Sequence, residues 1–294
     1  MNLLSVQDLH IRYPVAGGGL LPGSKRFVEV VRGVSFDLDR GKTIAIVGES
    51  GSGKTTLAMG LCGLTPIQSG SVTLSGASVK PNKHGALQPD RKRVALMFQD
   101  PAGSLSPRMR IGRALEEPFL IHGEAVRPAS ELLEMVGLTA EFADRYPHQL
   151  SGGQARRVGV ARALALNPEL VIADEPTAGL DVSIQGGVLN LLSDLRDELG
   201  LSLMIITHNL NIVRHVADQV AIMYLGQFVE KGESDTILDR PAHPYTAALL
   251  SANPKPDPDE LTQQVELSGD IPSPMDRPSG CEFHPRCPKA EALC

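Results

Sequence analysis

The chain has no tryptophan, only four tyrosines and seven phenylalanines, and no excess of basic residues. With 28 Lys and Arg against 34 Asp and Glu, its formal charge is -6. A nucleic-acid binder would show a basic surface, so that class is excluded, and Arg91-Lys92-Arg93 reads as a solvated face. No apolar run approaches the roughly 20 residues needed to cross a bilayer. The opening Met1-Asn2-Leu3-Leu4-Ser5-Val6-Gln7-Asp8 lacks a basic stretch followed by an apolar core, which argues against a signal peptide. The expectation is a soluble chain whose membrane attachment runs through partners. Cysteine is scarce: four residues, three of them among the last fourteen. At 294 residues without an internal repeat, the chain can hold one large domain and an appendage.

What is present is more specific. Residues 48–55 read G-E-S-G-S-G-K-T, a phosphate loop of the form G-x4-G-K-[ST]. Ile44-Ala45-Ile46-Val47 before it suits a buried parallel strand, and residues 55–64 after it suit a helix. Gly48, Gly51 and Gly53 let backbone N–H groups of the loop, which also contains Glu49, Ser50 and Ser52, curl around phosphate oxygens. The helix, with Thr56 in its first turn, points its positive end at the same anion. Lys54 is expected to reach the β- and γ-phosphates, and the Thr55 hydroxyl to bind Mg2+.

Three further apolar runs end in polar residues. Leu170-Val171-Ile172-Ala173 delivers Asp174-Glu175, a pair suited to holding Mg2+ (Asp174) and polarising an attacking water as general base (Glu175). Leu203-Met204-Ile205-Ile206 delivers Thr207-His208, and residues 94–98 deliver Gln99. A lone histidine or glutamine after a strand is usually unremarkable. Here all four strand ends are expected on one edge of an α/β sheet, where ligands bind. Leu150-Ser151-Gly152-Gly153-Gln154 is a second candidate phosphate-recognition element. It precedes the Ala-, Arg- and Leu-rich residues 155–166, a predicted helix whose N-terminus the Ser and Gly residues would leave open to an anion. Taken alone, Ser-Gly-Gly-Gln is equally a cap and turn.

In order and spacing, from about residue 3 to residue 250, these motifs resemble the nucleotide-binding subunits of ATP-binding-cassette (ABC) transporters. The resemblance implies ATP and Mg2+ as ligands, with Thr55, Gln99 and Asp174 at the metal and Glu175 and His208 in catalysis. It implies that Tyr13 stacks on adenine and that Ser151, Gly152, Gly153 and Gln154 act in trans, on ATP held by a partner's phosphate loop. Ala178-Gly179-Leu180-Asp181 lies where the family carries a dimer-crossing loop, commonly Ser-Ala-Leu-Asp; only its first two positions depart from that pattern, and Asp181 is retained.

Residues 1–43 and 70–79 alternate apolar and polar residues, predicting an antiparallel β subdomain, and residues 14–25 read as a flexible loop. A helical insertion is expected over residues 100–165. Ile184, Val188, Leu191, Leu192, Leu195 and Leu199 form a core stripe at helical spacing. The fold class is therefore α/β: a P-loop NTPase core with an antiparallel β subdomain, a helical signature subdomain and a proline-rich, cysteine-containing tail. Residues 1–240 form the expected ATPase domain and 241–294 a C-terminal region.

Ten of the 22 prolines lie in residues 241–288, a composition that resists regular structure. Residues 100–110, His243-Pro244-Tyr245-Thr246 and Cys281-Glu282-Phe283-His284-Pro285-Arg286-Cys287-Pro288 resemble the ATPases of oligopeptide, dipeptide and nickel importers. That subgroup implies peptide import, with nickel chelates or another small solute as the alternative. It also implies a second, nonidentical ATPase subunit, two membrane permeases and an extracytoplasmic solute-binding protein, with this chain peripheral on the cytoplasmic face. An exporter ATPase, or a soluble cassette ATPase of DNA repair or translation, fits the tail less well. Cys62 reads as a small buried apolar residue. In a reducing compartment, Cys281, Cys287 and Cys294 suggest an iron–sulfur site, expected as [4Fe–4S] with its fourth ligand unidentified, against a bland docking tail with spare thiols. The tail's distance along the chain from the catalytic motifs suggests a structural or regulatory role.

Overall fold

The computed structural model describes residues 2–15, 26–100, 103–252, 267 and 269–294; most of the loop expected at 14–25, and residues 101 and 102 of the insertion, lie outside the described residues. In chain order the strands are β1 (Asn2–Val15), β2 (Arg26–Asp39), β3 (Thr43–Val47), β4 (Ser69–Leu74), β5 (Ala77–Ser78), β6 (Val94–Met97), β7 (Leu170–Asp174), β8 (Ser202–Thr207), β9 (Gln219–Tyr224) and β10 (Gln227–Glu233). The helices are α1 (Lys54–Leu61), α2 (Ile111–His122), α3 (Ala129–Met135), α4 (Gly152–Leu164), α5 (Val182–Leu199), α6 (Leu210–Val216), α7 (Ser234–Asp239) and α8 (Pro244–Ser251). Packing divides the chain into two compact units. One comprises Asp39–Thr43 and Pro89–Ile206, and the other Asn2–Leu38, Ile44–Gln88 and Thr207–Cys294.

In the first unit β7 lies between β6 and β8, parallel to both, with Met97 opposite Ala173 and Asp174 opposite Ile206. Every residue of β7 and β8 is buried, as continuous apolar runs demand when both faces of a parallel sheet are covered. The expected helical insertion is α2, α3 and α4, which pack on one another. Helix α5 buries Val188, Leu192 and Leu195 as expected, together with Leu189. The ends of the predicted stripe fail: Ile184 and Leu199 are 40% and 45% exposed. They sit in the first and last turns, where a helix has the least cover.

The second unit holds the expected antiparallel β subdomain, in the strand order β2-β1-β4-β5. Leu4 faces Leu74 and Val6 faces Val72 across the antiparallel β1–β4 pair. A separate run places β9 between β3, to which it is parallel, and β10, to which it is antiparallel. The β9–β10 connection is the two-residue turn Leu225-Gly226, both residues at positive φ (44° and 86°), the geometry that matches the twist of a hairpin.

Among the described residues, the tail holds more regular structure than its proline content predicts. Pro244 opens α8 at the first helical position, where its missing N–H costs nothing. Tyr245 of that helix, Tyr224 of β9 and Phe283 form an aromatic cluster with ring centroids 4.8–5.4 Å apart. They share an apolar core with Ala45, Val47, Ile237 and Leu238. Because Phe283 is almost wholly buried, Phe283→Ala should cost about 3–5 kcal/mol of stability. Urea denaturation checks this; a loosely attached tail would leave the midpoint unmoved.

Candidate functional site

The phosphate loop belongs to the second unit. Strand β3 is buried throughout and ends at Val47, directly before Gly48. A Cβ at Gly48 would lie 2.2 Å from the Met223 carbonyl oxygen, and one at Gly53 2.7 Å from that of Val30. Gly53 also sits at φ 108° and Gly51 at 82°, a region side chains rarely tolerate. The Gly226 amide donates to the Ser52 carbonyl at 2.9 Å, so the loop is bonded to the β9–β10 turn. Inside it, buried Lys54 directs its Nζ at the carbonyls of Gly48 (2.7 Å) and Glu49 (2.8 Å) and at Ser52 Oγ (3.4 Å). Ser50, Gly51 and Thr55 are exposed and Thr56 is half-buried. Glycines where a β-carbon would collide, and a lysine drawn into the loop's concavity, fit a chain of phosphates.

Tyr13, on β1 of the same unit, is half-buried, and its hydroxyl lies 3.3 Å from Thr65 Oγ1. His208 follows the last residue of β8 and is exposed.

Glu49 has further partners that its sequence context does not suggest. Its amide N–H donates to the Tyr245 hydroxyl at 3.0 Å. Both of its carboxylate oxygens accept from the Arg286 guanidinium, at 2.8 and 3.0 Å. Arg286 is buried, and the carboxylate holds it still more firmly protonated than a free arginine. Burial pushes the Tyr245 hydroxyl well above the usual phenol range, so it stays neutral. Arg277 donates to the carbonyl of Leu225, in the turn beneath the loop, at 2.6 Å. The tail therefore touches the phosphate loop, despite its distance along the chain.

In the first unit, β7 ends in buried Asp174, and the chain turns sharply at Glu175, whose φ is 46°. A non-glycine residue in this region is held against a cost of order 1–3 kcal/mol, and such positions cluster at active sites. The Glu175 amide donates to Ile206 O at 2.9 Å, and Gln99 Nε2 donates to its carboxylate at 2.9 Å. The glutamine and the acidic strand end are thus brought together. Arg156, on α4, was not singled out from the sequence, yet it donates to the carbonyls of Gln99 (2.7 Å) and Ala178 (2.8 Å). It is buried, and desolvation pulls its pKa below the usual arginine range. A basic residue in an Ala-rich helix looks solvated in sequence; only its position on the buried face reveals the role.

Ser151 caps α4 in a reciprocal box with Gln154. Its Oγ accepts the Gln154 amide at 3.3 Å, and the Gln154 side chain accepts the Ser151 amide at 2.9 Å. Ser151 and Gly152 are exposed and Gly153 and Gln154 half-buried, while a Cβ at Gly153 would lie 3.0 Å from Ile184 Cγ2. Asp181 caps α5 through its backbone, its carbonyl accepting from Ile184 and Gln185.

The structure lends the iron–sulfur expectation no support. Among the described residues, no group of three or more His, Cys, Asp or Glu side chains is placed to share a metal ion. Cys287 packs against the aromatic core while Cys281 and Cys294 are exposed, and Cys62 is buried as expected. Thr55, Gln99 and Asp174, by contrast, offer hydroxyl, amide and carboxylate oxygens, the hard donors that Mg2+ prefers. Among the described residues no helix is long and apolar enough to cross a membrane.

A glycine loop closed on a lysine at one strand end, and an acidic strand end backed by a glutamine, define a P-loop nucleoside triphosphatase. The family is narrower still: residues 31–178 match the ABC transporter family profile and residues 229–294 that of the oligopeptide/dipeptide transporter C-terminal region, and the chain belongs to the ABC transporter ATPases. It is 46% identical to the dipeptide transport ATP-binding protein DppF of Escherichia coli (strain K12), across 99% of this chain and 88% of that one. The di/tripeptide transport ATP-binding protein DppF of Pseudomonas aeruginosa (strain UCBPP-PA14) is 44% identical, across 100% of this chain and 92% of its own length. Among solved structures, the ATP-binding cassette MJ0796 in a post-hydrolysis dimer with ADP and Pi superposes with a TM-score of 0.66 at 26% identity, covering 79% of this chain and 99% of that one. The protein cbiO1 of Clostridium perfringens, part of the transporter complex cbiONQ, gives 0.67 at 26% identity, covering 81% and 91%.

Arg156→Met should cost about 2–4 kcal/mol, because removing a charged donor leaves two carbonyls without it. Denaturant titration measures the loss. An unchanged midpoint would mean that the two contacts contribute nothing net.

Proposed function

We propose that this chain is the ATP-hydrolysing subunit of a peptide importer, working at the cytoplasmic face of the membrane. The observation that carries this reading is the pairing, in one chain, of an ABC ATPase domain with the C-terminal region of oligopeptide and dipeptide transporters. Relatives that match nearly end to end and are named for dipeptide transport support the same solute class. Its partners are a second, nonidentical ATPase subunit, two permeases and an extracytoplasmic solute-binding protein. Residues 1–240 form the ATPase domain, and 241–294 its C-terminal region.

In this reading residues 48–55 wrap the triphosphate, Lys54 meets the β- and γ-phosphates and Tyr13 stacks on adenine. Thr55, Gln99 and Asp174 hold Mg2+, which when bound neutralises charge on the phosphates. Glu175 takes a proton from the attacking water, whose oxygen bonds to the γ-phosphorus as the bond to the ADP oxygen breaks; His208 assists that step. The Gln99 side chain keeps the Glu175 carboxylate oriented toward its task. Ser151, Gly152, Gly153 and Gln154 contact the γ-phosphate held by the partner ATPase, and Asp181 lies on the dimer-crossing loop. Closure on ATP and reopening after hydrolysis drive alternating access, because the two dimer states favour different permease conformations.

Glu175→Gln keeps the Gln99 contact sterically possible and removes the base. ATP binding should persist while turnover falls about 10²–10⁴-fold, measured as phosphate release in the assembled transporter; near-normal release would strip Glu175 of this role.

Gly153→Asp should abolish hydrolysis at the site built from the partner's phosphate loop, since a carboxylate beside a γ-phosphate in a dry interface is costly. Gly153→Ala is the control, because any β-carbon there presses on Ile184. Equal losses in the two variants would assign the defect to that contact rather than to charge.

A further inference from the structure

The phosphate loop contains a residue of the wrong sign for its ligand. Glu49 is its second position, and a carboxylate there opposes the negative charge of a triphosphate. The structure holds this residue at three points. Its carbonyl accepts from Lys54 at 2.8 Å, its amide donates to Tyr245 at 3.0 Å, and both carboxylate oxygens are taken by the Arg286 fork. Two of these three partners come from the C-terminal region.

The segments that carry Arg286 and Tyr245 are themselves fixed. Arg286 lies in the 3-10 turn His284–Arg286, directly after Phe283 of the aromatic core. Glu282, on the other side of Phe283, is bound by Arg277 (3.1 Å) and by Arg32 of β2. Tyr245 is held by its ring contacts with Tyr224 and Phe283, and its amide donates to His243 Nδ1 at 3.1 Å. A planar guanidinium bound to both oxygens fixes geometry as well as charge, which a lysine could not do.

We propose that Arg286 and Tyr245 are positioning residues of the nucleotide site: Arg286 neutralises Glu49 and holds its side chain, Tyr245 fixes its amide, and together they keep the phosphate loop shaped and charged for ATP. The C-terminal region thereby sets the ATP affinity of a loop that lies more than 190 residues earlier. The inference rests on the assignment of residues 48–55 to the triphosphate.

Equilibrium binding of ATP with Mg2+ to the full-length chain, read by titration calorimetry, tests both. Lys54→Ala should lose ATP binding; if it binds like the parent, the loop assignment itself fails. With that control satisfied, Arg286→Met should weaken binding about tenfold or more, because an unneutralised carboxylate now faces the phosphates. Adding Glu49→Gln to Arg286→Met should recover most of the loss, since the opposing charge is gone. A purely packing role for Arg286 predicts no recovery, and that result, or a folded Arg286→Met with parental affinity, overturns the proposal. Should Arg286→Met fail to fold, Tyr245→Phe keeps the ring in its cluster and removes the acceptor for the Glu49 amide. It should weaken ATP binding several-fold while thermal unfolding confirms a folded chain; parental affinity in folded Tyr245→Phe overturns the Tyr245 half of the proposal.

Discussion

The geometry of the nucleotide site depends on backbone approaching backbone more closely than a β-carbon allows. Gly48 lies against the Met223 carbonyl, Gly53 against that of Val30, and Gly226 in the β9–β10 turn against the same Val30 carbonyl from another direction, where a Cβ would come within 2.3 Å. The Gly226 amide then closes the stack by bonding to Ser52. Glycines at 48 and 53 thus serve two purposes. Gly53, at positive φ, admits a backbone conformation that other residues rarely adopt, and both glycines let the loop seat directly on β2 and the turn. A loop supported in this way needs little rearrangement when an anion arrives, and preorganisation of this kind lowers the cost of binding.

Much of this arrangement was legible in the sequence because it follows local rules. Unbroken apolar runs at residues 44–47, 170–173 and 203–206 predicted buried parallel strands, and those strands end where the polar residues Asp174 and Thr207 begin. The alternation in residues 1–43 and 70–79 predicted an antiparallel β subdomain, and β1 pairs antiparallel with β4 there. Ser-Gly-Gly-Gln reads equally as a cap and turn or as a ligand site, and the structure shows Ser151 capping α4 in a reciprocal box with Gln154. Contacts made by arginines over long separations were not legible. Arg156 reaches Gln99 across 57 positions and Arg286 reaches Glu49 across 237, and no local pattern encodes either. Proline density also misled, because Pro244 sits where a helix accepts proline, at its first residue.

Two acidic residues, one in each unit, are handled differently. Glu175 sits on a backbone in the left-handed region, with Gln99 as a neutral neighbour that orients its carboxylate. Glu49 has an ordinary backbone and a fully engaged carboxylate, tied to a buried guanidinium. One acid is paired with a neutral amide and the other with a charged guanidinium, so the two carboxylates have different surroundings within one chain.

The partnership of Glu49 with Arg286 also fixes an order of events during synthesis. Glu49 emerges from the ribosome 237 residues ahead of its partner. At roughly 5–20 residues per second, the nascent loop therefore spends on the order of ten to fifty seconds with its acidic side chain unmatched. Its glycines and its lysine are already synthesised for all of that time, and Arg286 is among the later residues that complete its surroundings.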